Sequence, residues 1–267
     1  MHNKIITSQA IFSAVTTLRE RKPLVHNITN LVAMNSSANV LLALGASPLM
    51  AHAPEELMEI IHIANVLVLN IGTLDKRWIA SMQAAQRCAR EKKIPIILDP
   101  VGAGASRLRT QTAKTIIADG VDIIRGNAAE IMSLANYCAN SKGVDSLVDS
   151  EHAVVAAQQL ATTNQCVVII SGRDDFIVAQ ENTSKLSNGT PLFTHVTAMG
   201  CAATAVVGAF AAIEDNYRIA ATYAMSVFSI AGQHAASNTA GPGSFYASLI
   251  DKLHALSAVD LDILRIA

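Results

Sequence analysis

The chain has 267 residues, 51% apolar and 15% charged, enough to bury a large core, which excludes intrinsic disorder. Twenty Lys and Arg stand against 21 Asp and Glu, so a net charge of −1 gives no long-range pull on nucleic acid or anionic lipid. Aromatics make up only 4%, and the apolar runs, such as Val66 to Leu69 and Val167 to Ile170, stop far short of the roughly 20 residues a bilayer demands.

The segment Met1 to Thr7 has no apolar core or small-residue cleavage site of the kind that directs secretion, so a cytoplasmic location is expected. Cysteines 88, 138, 166 and 201 are too scattered for a zinc spacing or a CxxC pair. Cys88, Cys138 and Cys166 are expected as small buried apolar residues.

Along the chain, Pro23 to Asn30 is apolar with polar residues at alternate places: His26, read as a satisfied buried histidine, and Asn27 and Thr29, which on a strand would face a ligand together. Gly45 to Met50 ends a helix and enters a short strand, and Met50 offers a soft contact to a flat heteroaromatic ring. Strands are expected at Val66 to Asn70, Ile94 to Leu98, Ile123 to Ile124 and Val167 to Ser171. Helices are expected at Trp78 to Lys92, His152 to Thr162, Ala202 to Ala212 and Tyr217 to Ser237, the last ended by Gly241-Pro242-Gly243. A strand pair is expected within Asn182 to Phe193, turning at Asn188-Gly189, with Leu192 to Val196 extended. The alternation predicts an α/β fold with a mostly parallel sheet and helices on both faces. With no linker composition anywhere, residues 1–267 read as a single domain.

Each predicted strand ends in polar or glycine residues, and ligands of open α/β sheets bind at those carboxyl ends. Asp99 ends one strand beside the glycines of Pro100 to Gly104. Arg125-Gly126-Asn127-Ala128-Ala129-Glu130 supplies a cation, an amide and a carboxylate in one strand-to-helix passage. Phosphoryl transfer needs positive charge over phosphates and hard oxygen ligands near magnesium, roles open to Arg125, Asp99 and Glu130. Asn127 and Glu130 also fit a helix capping box, and both readings can hold at once. Thr197 to Cys201 leads into a helix starting near Cys201, where free N–H groups and the helix dipole favour a phosphate.

Taken in order, the stretches PLVHNITN (23–30), ALGASPLM (43–50), NIGTL (70–74), LDPVGAGA (98–105), IIRGNAAEI (123–131) and GPGSF (241–245) resemble the hydroxyethylthiazole kinases of the ribokinase-like superfamily over nearly the whole chain. The resemblance implies transfer of the ATP γ-phosphoryl group to 4-methyl-5-(2-hydroxyethyl)thiazole for thiamine diphosphate synthesis, with magnesium and a homotrimer whose thiazole pocket lies between subunits. It assigns Met50 and residue 198 to the thiazole, joined by Asn27 on the substrate wall. Arg125 and Ser171 go to ATP, with Asn127 beside them. Asp99 and Glu130 go to magnesium and water, and Cys201 takes the place where sugar kinases of the superfamily carry an aspartate base. A helix N-terminus lowers a thiol pKa, so Cys201 is expected to assist deprotonation or to position the alcohol.

Two residues depart from the pattern. Ala198 replaces the usual first glycine of the turn, and Met199 the small residue after it. Alanine suffices at 198 if the turn does not require φ > 0. A hydroxymethylpyrimidine-type kinase is the alternative reading, although such enzymes carry aspartate at position 201, and a catalytically weak nucleotide-binding homologue is another.

Overall fold

The computed structural model describes residues 6–135, 150–180 and 182–267. The predicted helix at His152 to Thr162 falls within α7 (Ser150–Asn164), whereas Cys138 lies outside the described residues.

An eight-stranded sheet runs through the chain in the order β2 (Ser47–Met50), β1 (Leu24–Ile28), β3 (Val66–Asn70), β4 (Ile96–Asp99), β5 (Ile123–Asn127), β6 (Val167–Ser171), β7 (Asp175–Ala179), β8 (Asn182–Leu186). Pairing is parallel from β2 through β6 and antiparallel across β6, β7 and β8. The parallel strands are nearly continuous apolar runs because helices cover both faces. In β3, Val66 and Val68 point to one core and Leu67 and Leu69 to the other, the period-2 alternation of a pleated strand.

One face is covered by α1 (Ser8–Arg21), α2 (Met34–Leu44), α8 (Met199–Ala211), α9 (Tyr217–Ala236) and α10 (Pro242–His254). The other carries α3 (Leu57–Ile63), α4 (Lys76–Lys92), α5 (Arg107–Ala118), α6 (Ala128–Leu134) and α7. Small residues let α8 lie close on the sheet. A Cβ added at Gly208 would sit 2.7 Å from Val68 Cγ2 on β3, so glycine sets the approach there. Asp75, Ser106, Asn127 and Asn216 cap α4, α5, α6 and α9 with side-chain acceptors, as the N-terminal N–H groups require.

Several expectations are corrected. The hairpin turn lies between the paired residues Ala179 and Asn182, not at Asn188-Gly189. Asn188 is instead buried: its Nδ2 donates to Gln233 Oε1 and Ile263 O, and its Oδ1 accepts from Arg265 N at 2.7 Å. An Asn-Gly dipeptide therefore served a tertiary lock rather than a local turn. Leu192 to Val196 is mostly a 3-10 turn (Pro191–His195), started by proline and capped by Thr190, rather than extended chain. Ile94 and Pro95 precede β4, and Ile94 N bonds back to Ala89 O as part of the α4 stop. Gly241-Pro242-Gly243 opens α10, with Pro242 in the first turn where its missing N–H costs nothing, whereas α9 has already ended at Ala236. His26 is fully buried but only half satisfied: Nε2 meets Ala51 O at 2.8 Å and Nδ1 has no partner. Burial lowers its pKa. Cys166 is buried, as expected, and its thiol is pushed up to about 12, while Cys88 is only partly buried.

Candidate active site

The carboxyl ends of the parallel strands gather most of the predicted residues. Asp99 closes β4, Arg125 and Asn127 lie at the end of β5, Ser171 closes β6, and Met50 closes β2. Glu130 stands in the first turn of α6, and Ala198 and Cys201 at the start of α8.

α8 starts without a side-chain cap. Ala198 at its N-cap has φ 66 and ψ 9, in the left-handed region, so the turn does require φ > 0 and the condition under which alanine would sit without strain is not met. The Ala198 carbonyl accepts the first helical bond from Ala202 N at 2.9 Å, which leaves the amides of residues 199–201 pointing out of the helix end. Met199 is 3% exposed and anchors the turn in the core.

Arg125 lies across that helix end. A Cβ added at Gly200 would fall 2.6 Å from Arg125 Nη1, so a side chain there would push the guanidinium off the turn. Arg125 Nη2 donates to Ser171 Oγ at 2.6 Å, and the Ser171 hydroxyl donates to Gly126 O. The guanidinium Nε is buried with no partner. A fixed cation and outward amides thus face one spot, the arrangement that stabilises a phosphate and the charge developing on it.

Asp99 is 1% exposed, and its Oδ2 accepts from Asn70 Nδ2 and from Thr204 Oγ1, each at 2.8 Å. Burial raises its pKa to about 6, opposed by Arg125 and reinforced by Glu130. Asp175 on β7, held by Gly172 N and Ser229 Oγ, is also raised by burial to about 6, and Arg125 opposes that shift too. Arg125 is thus the shared counter-charge of two buried carboxyls.

Glu130 Oε2 accepts from Asn127 N and Asn127 Oδ1 accepts from Glu130 N, so the capping box is formed. Its Oε1 accepts from Gly102 N at 2.8 Å, which ties the glycine loop after β4 to α6. Arg109 secures the other side of that loop through Val101 O and Gly72 O. Among the described residues no three metal-binding side chains cluster. Asp99 and Glu130 are hard oxygen donors of the kind magnesium takes alongside water.

The Cys201 thiol does not follow the expected downward shift. Burial and then the Asp99 charge push it up to about 11, against the lowering effects of Asn70, Asn30 and Arg125. Met50 and Asn27 are neighbours in the β1 and β2 register. Asn27 is 2% exposed, with Nδ2 on Val25 O and Oδ1 without a partner, so it stands in the wall behind the surface.

The sequence pattern of the Hydroxyethylthiazole kinase family matches residues 15–259. The chain belongs to the hydroxyethylthiazole kinase family. A hydroxyethylthiazole kinase of Photobacterium profundum is 52% identical over 250 residues, covering 93% of this chain and 90% of that one. The structure of a hydroxyethylthiazole kinase protein from Pyrococcus horikoshii superposes with a TM-score of 0.89 at 39% identity, covering 97% of this chain and 98% of that one. A ribokinase-like superfamily protein from Enterococcus faecalis shares the fold at a TM-score of 0.64 and 12% identity, with 88% of each chain covered.

Asn30, Asn70 and Thr204 bond to the predicted site residues, Asp175 feels the Arg125 charge, and none of the four was singled out in the sequence. Asn70 had a signal, a polar residue closing an apolar strand, and Thr204 lies one helical turn after Gly200. Asp175 had none, since it opens an antiparallel strand whose place in the sheet follows no local pattern.

Proposed function

We propose that this hydroxyethylthiazole kinase transfers the γ-phosphoryl group of ATP to the primary alcohol of 4-methyl-5-(2-hydroxyethyl)thiazole at the start of α8. The observation that carries the site assignment is the Arg125 guanidinium lying against Gly200, where the open helix end and a fixed cation converge. Arg125 and Ser171 hold the phosphates of ATP, with Asn127 at the edge of the same pocket. Met50 and the Ala198 backbone contact the thiazole, with Asn27 behind Met50.

In the reaction the alcohol oxygen forms a bond to the γ-phosphorus as the bond to the β,γ-bridging oxygen breaks, and the electron pair leaves with ADP. The transition state is loose, so the alcohol proton departs late and passes to a phosphoryl oxygen and then to water. A thiol at about 11 is protonated at neutral pH, so Cys201 acts by hydrogen bonding and alignment rather than as a base. Arg125 and the amides of residues 199–201 meet the charge on the migrating group. Asp99 and Glu130 would hold magnesium, in part through water, and the ion would supply positive charge to the phosphates.

The enzyme acts as one kinase unit over residues 1–267, in the cytoplasm, as a homotrimer. Leu31 and Val32, 66% and 58% exposed just after β1, support the last point, because they offer apolar surface that a neighbouring subunit would cover. The reaction is tested by incubating the purified protein with ATP, magnesium and the thiazole alcohol, the pyrimidine alcohol or ribose. ADP and thiazole phosphate should form together; a phosphorylated pyrimidine with no thiazole product would reassign the substrate.

A further inference from the structure

A chain of buried side chains runs from Asp99 to Cys201. The Asp99 carboxylate can only accept, so Asn70 turns its Nδ2 toward Oδ2, at 2.8 Å. Its Oδ1 therefore faces the other way, where it accepts from Asn30 Nδ2 at 2.8 Å and from Gly72 N at 3.0 Å. Asn30 is fixed in turn. Its Oδ1 accepts from Val32 N and Ala33 N, and its Nδ2 also reaches Cys201 Sγ at 3.4 Å. Asn30, Asn70 and Asp99 are 5%, 2% and 1% exposed, and each amide has only one orientation that satisfies its neighbours. An N–H aimed at the sulfur makes the sulfur an acceptor, so the thiol proton must point away from Asn30. Thr204 closes the circuit, donating to Asp99 Oδ2 at 2.8 Å and lying 3.2 Å from Gly200 O at the head of the same helix.

We propose that Asn70 and Asn30 are positioning residues that carry the polarity of the Asp99 carboxylate to Cys201 and turn its S–H toward the acceptor alcohol. The inference rests on the reading of Cys201 as the group that aligns that alcohol. Asn30→Ala removes the N–H groups that serve Cys201 Sγ and Asn70 Oδ1 without adding a charge to the buried chain. Asn70→Ala breaks the same chain one link earlier.

Each variant is made alone and in a Cys201→Ala background, checked for a cooperative melt, and assayed for kcat and for KM of ATP. Each single variant should lose about tenfold in kcat, the worth of one hydrogen bond, with KM for ATP unchanged. In the Cys201→Ala background neither should cost more than about twofold again, because the group they act through is gone. The same tenfold loss in both backgrounds makes the asparagines structural and overturns the proposal while leaving Cys201 its role. Wild-type turnover in Cys201→Ala alone removes Cys201 from the mechanism, and the proposal with it. A second readout needs no turnover: alkylation of Cys201 by iodoacetamide at pH 8.5, followed on its own peptide by mass spectrometry. Asn30→Ala should slow it severalfold, since the N–H that stabilises the thiolate is lost and no charge is added, and an unchanged rate counts against the proposal.

Discussion

The sharpest consequence of the structure concerns a single backbone angle. Ala198 is held at φ 66 at the head of α8, a conformation that costs an L-residue about 1 to 2 kcal/mol and glycine almost nothing. Ala198→Gly removes that strain but gives the unfolded chain extra freedom worth about 0.4 to 1 kcal/mol. The difference leaves a net gain near 1 kcal/mol, which for a chain of this size raises the melting temperature by about 2 °C. Ala198→Val should go the other way, because a β-branched residue is least tolerant of this region. Calorimetry on the three proteins under one buffer tests this directly. A melt for the glycine variant below that of wild type would refute the reasoning, since it would mean that the Ala198 methyl contributes packing that outweighs the backbone strain.

Two further outcomes follow from the charges. Arg125→Gln should reduce kcat/KM by about 100-fold or more, and Arg125→Lys should fall between, because a lysine cannot bond Ser171 and lie on Gly200 at once; steady-state kinetics within threefold of wild type for the glutamine variant would count against the phosphate site. Asp99 has a folded pKa of about 6, above its unfolded value of 3.8, so the stability it lends is whole below about pH 4 and lost as pH rises through about 6. Asp99→Asn should therefore melt above wild type at pH 7.5 and converge with it near pH 4, while kcat/KM of the wild type should fall as pH drops through about 6 and the carboxylate is protonated; melts that differ equally at both pH values would contradict the assignment.

How much of this was legible in the sequence depended on whether the deciding contacts were local. Val66 to Asn70 and Val167 to Ser171 read correctly as strands, because a strand covered on both faces must be apolar throughout and its polar terminal residue stands out. Asp99, Arg125 and Ser171, in the last residues of β4, β5 and β6, stood out for the same reason. Asn188-Gly189 misled, because its turn propensity was spent on contacts with Gln233, Ile263 and Arg265, residues 45 or more positions away. Ala198 and Met199 were visible as departures, but their effect on the turn needed the backbone angle. The Cys201 thiol was misjudged because the helix end is a local feature, whereas the burial and the Asp99 charge that outweigh it come from elsewhere in the chain. Asn30 meets Cys201 across 171 residues of sequence, a pairing that only the folded sheet edge creates.

In the proposed reaction the open end of α8 and Arg125 together receive the migrating phosphoryl group. A crystal structure with ADP, aluminium fluoride, magnesium and the thiazole alcohol tests it most directly. The planar fluoride should lie between the ADP and the alcohol oxygen, bonded to the amides of residues 199–201 and to the Arg125 guanidinium. A fluoride group bound away from that turn, with those amides facing only water, would place the transfer elsewhere and rule this site out.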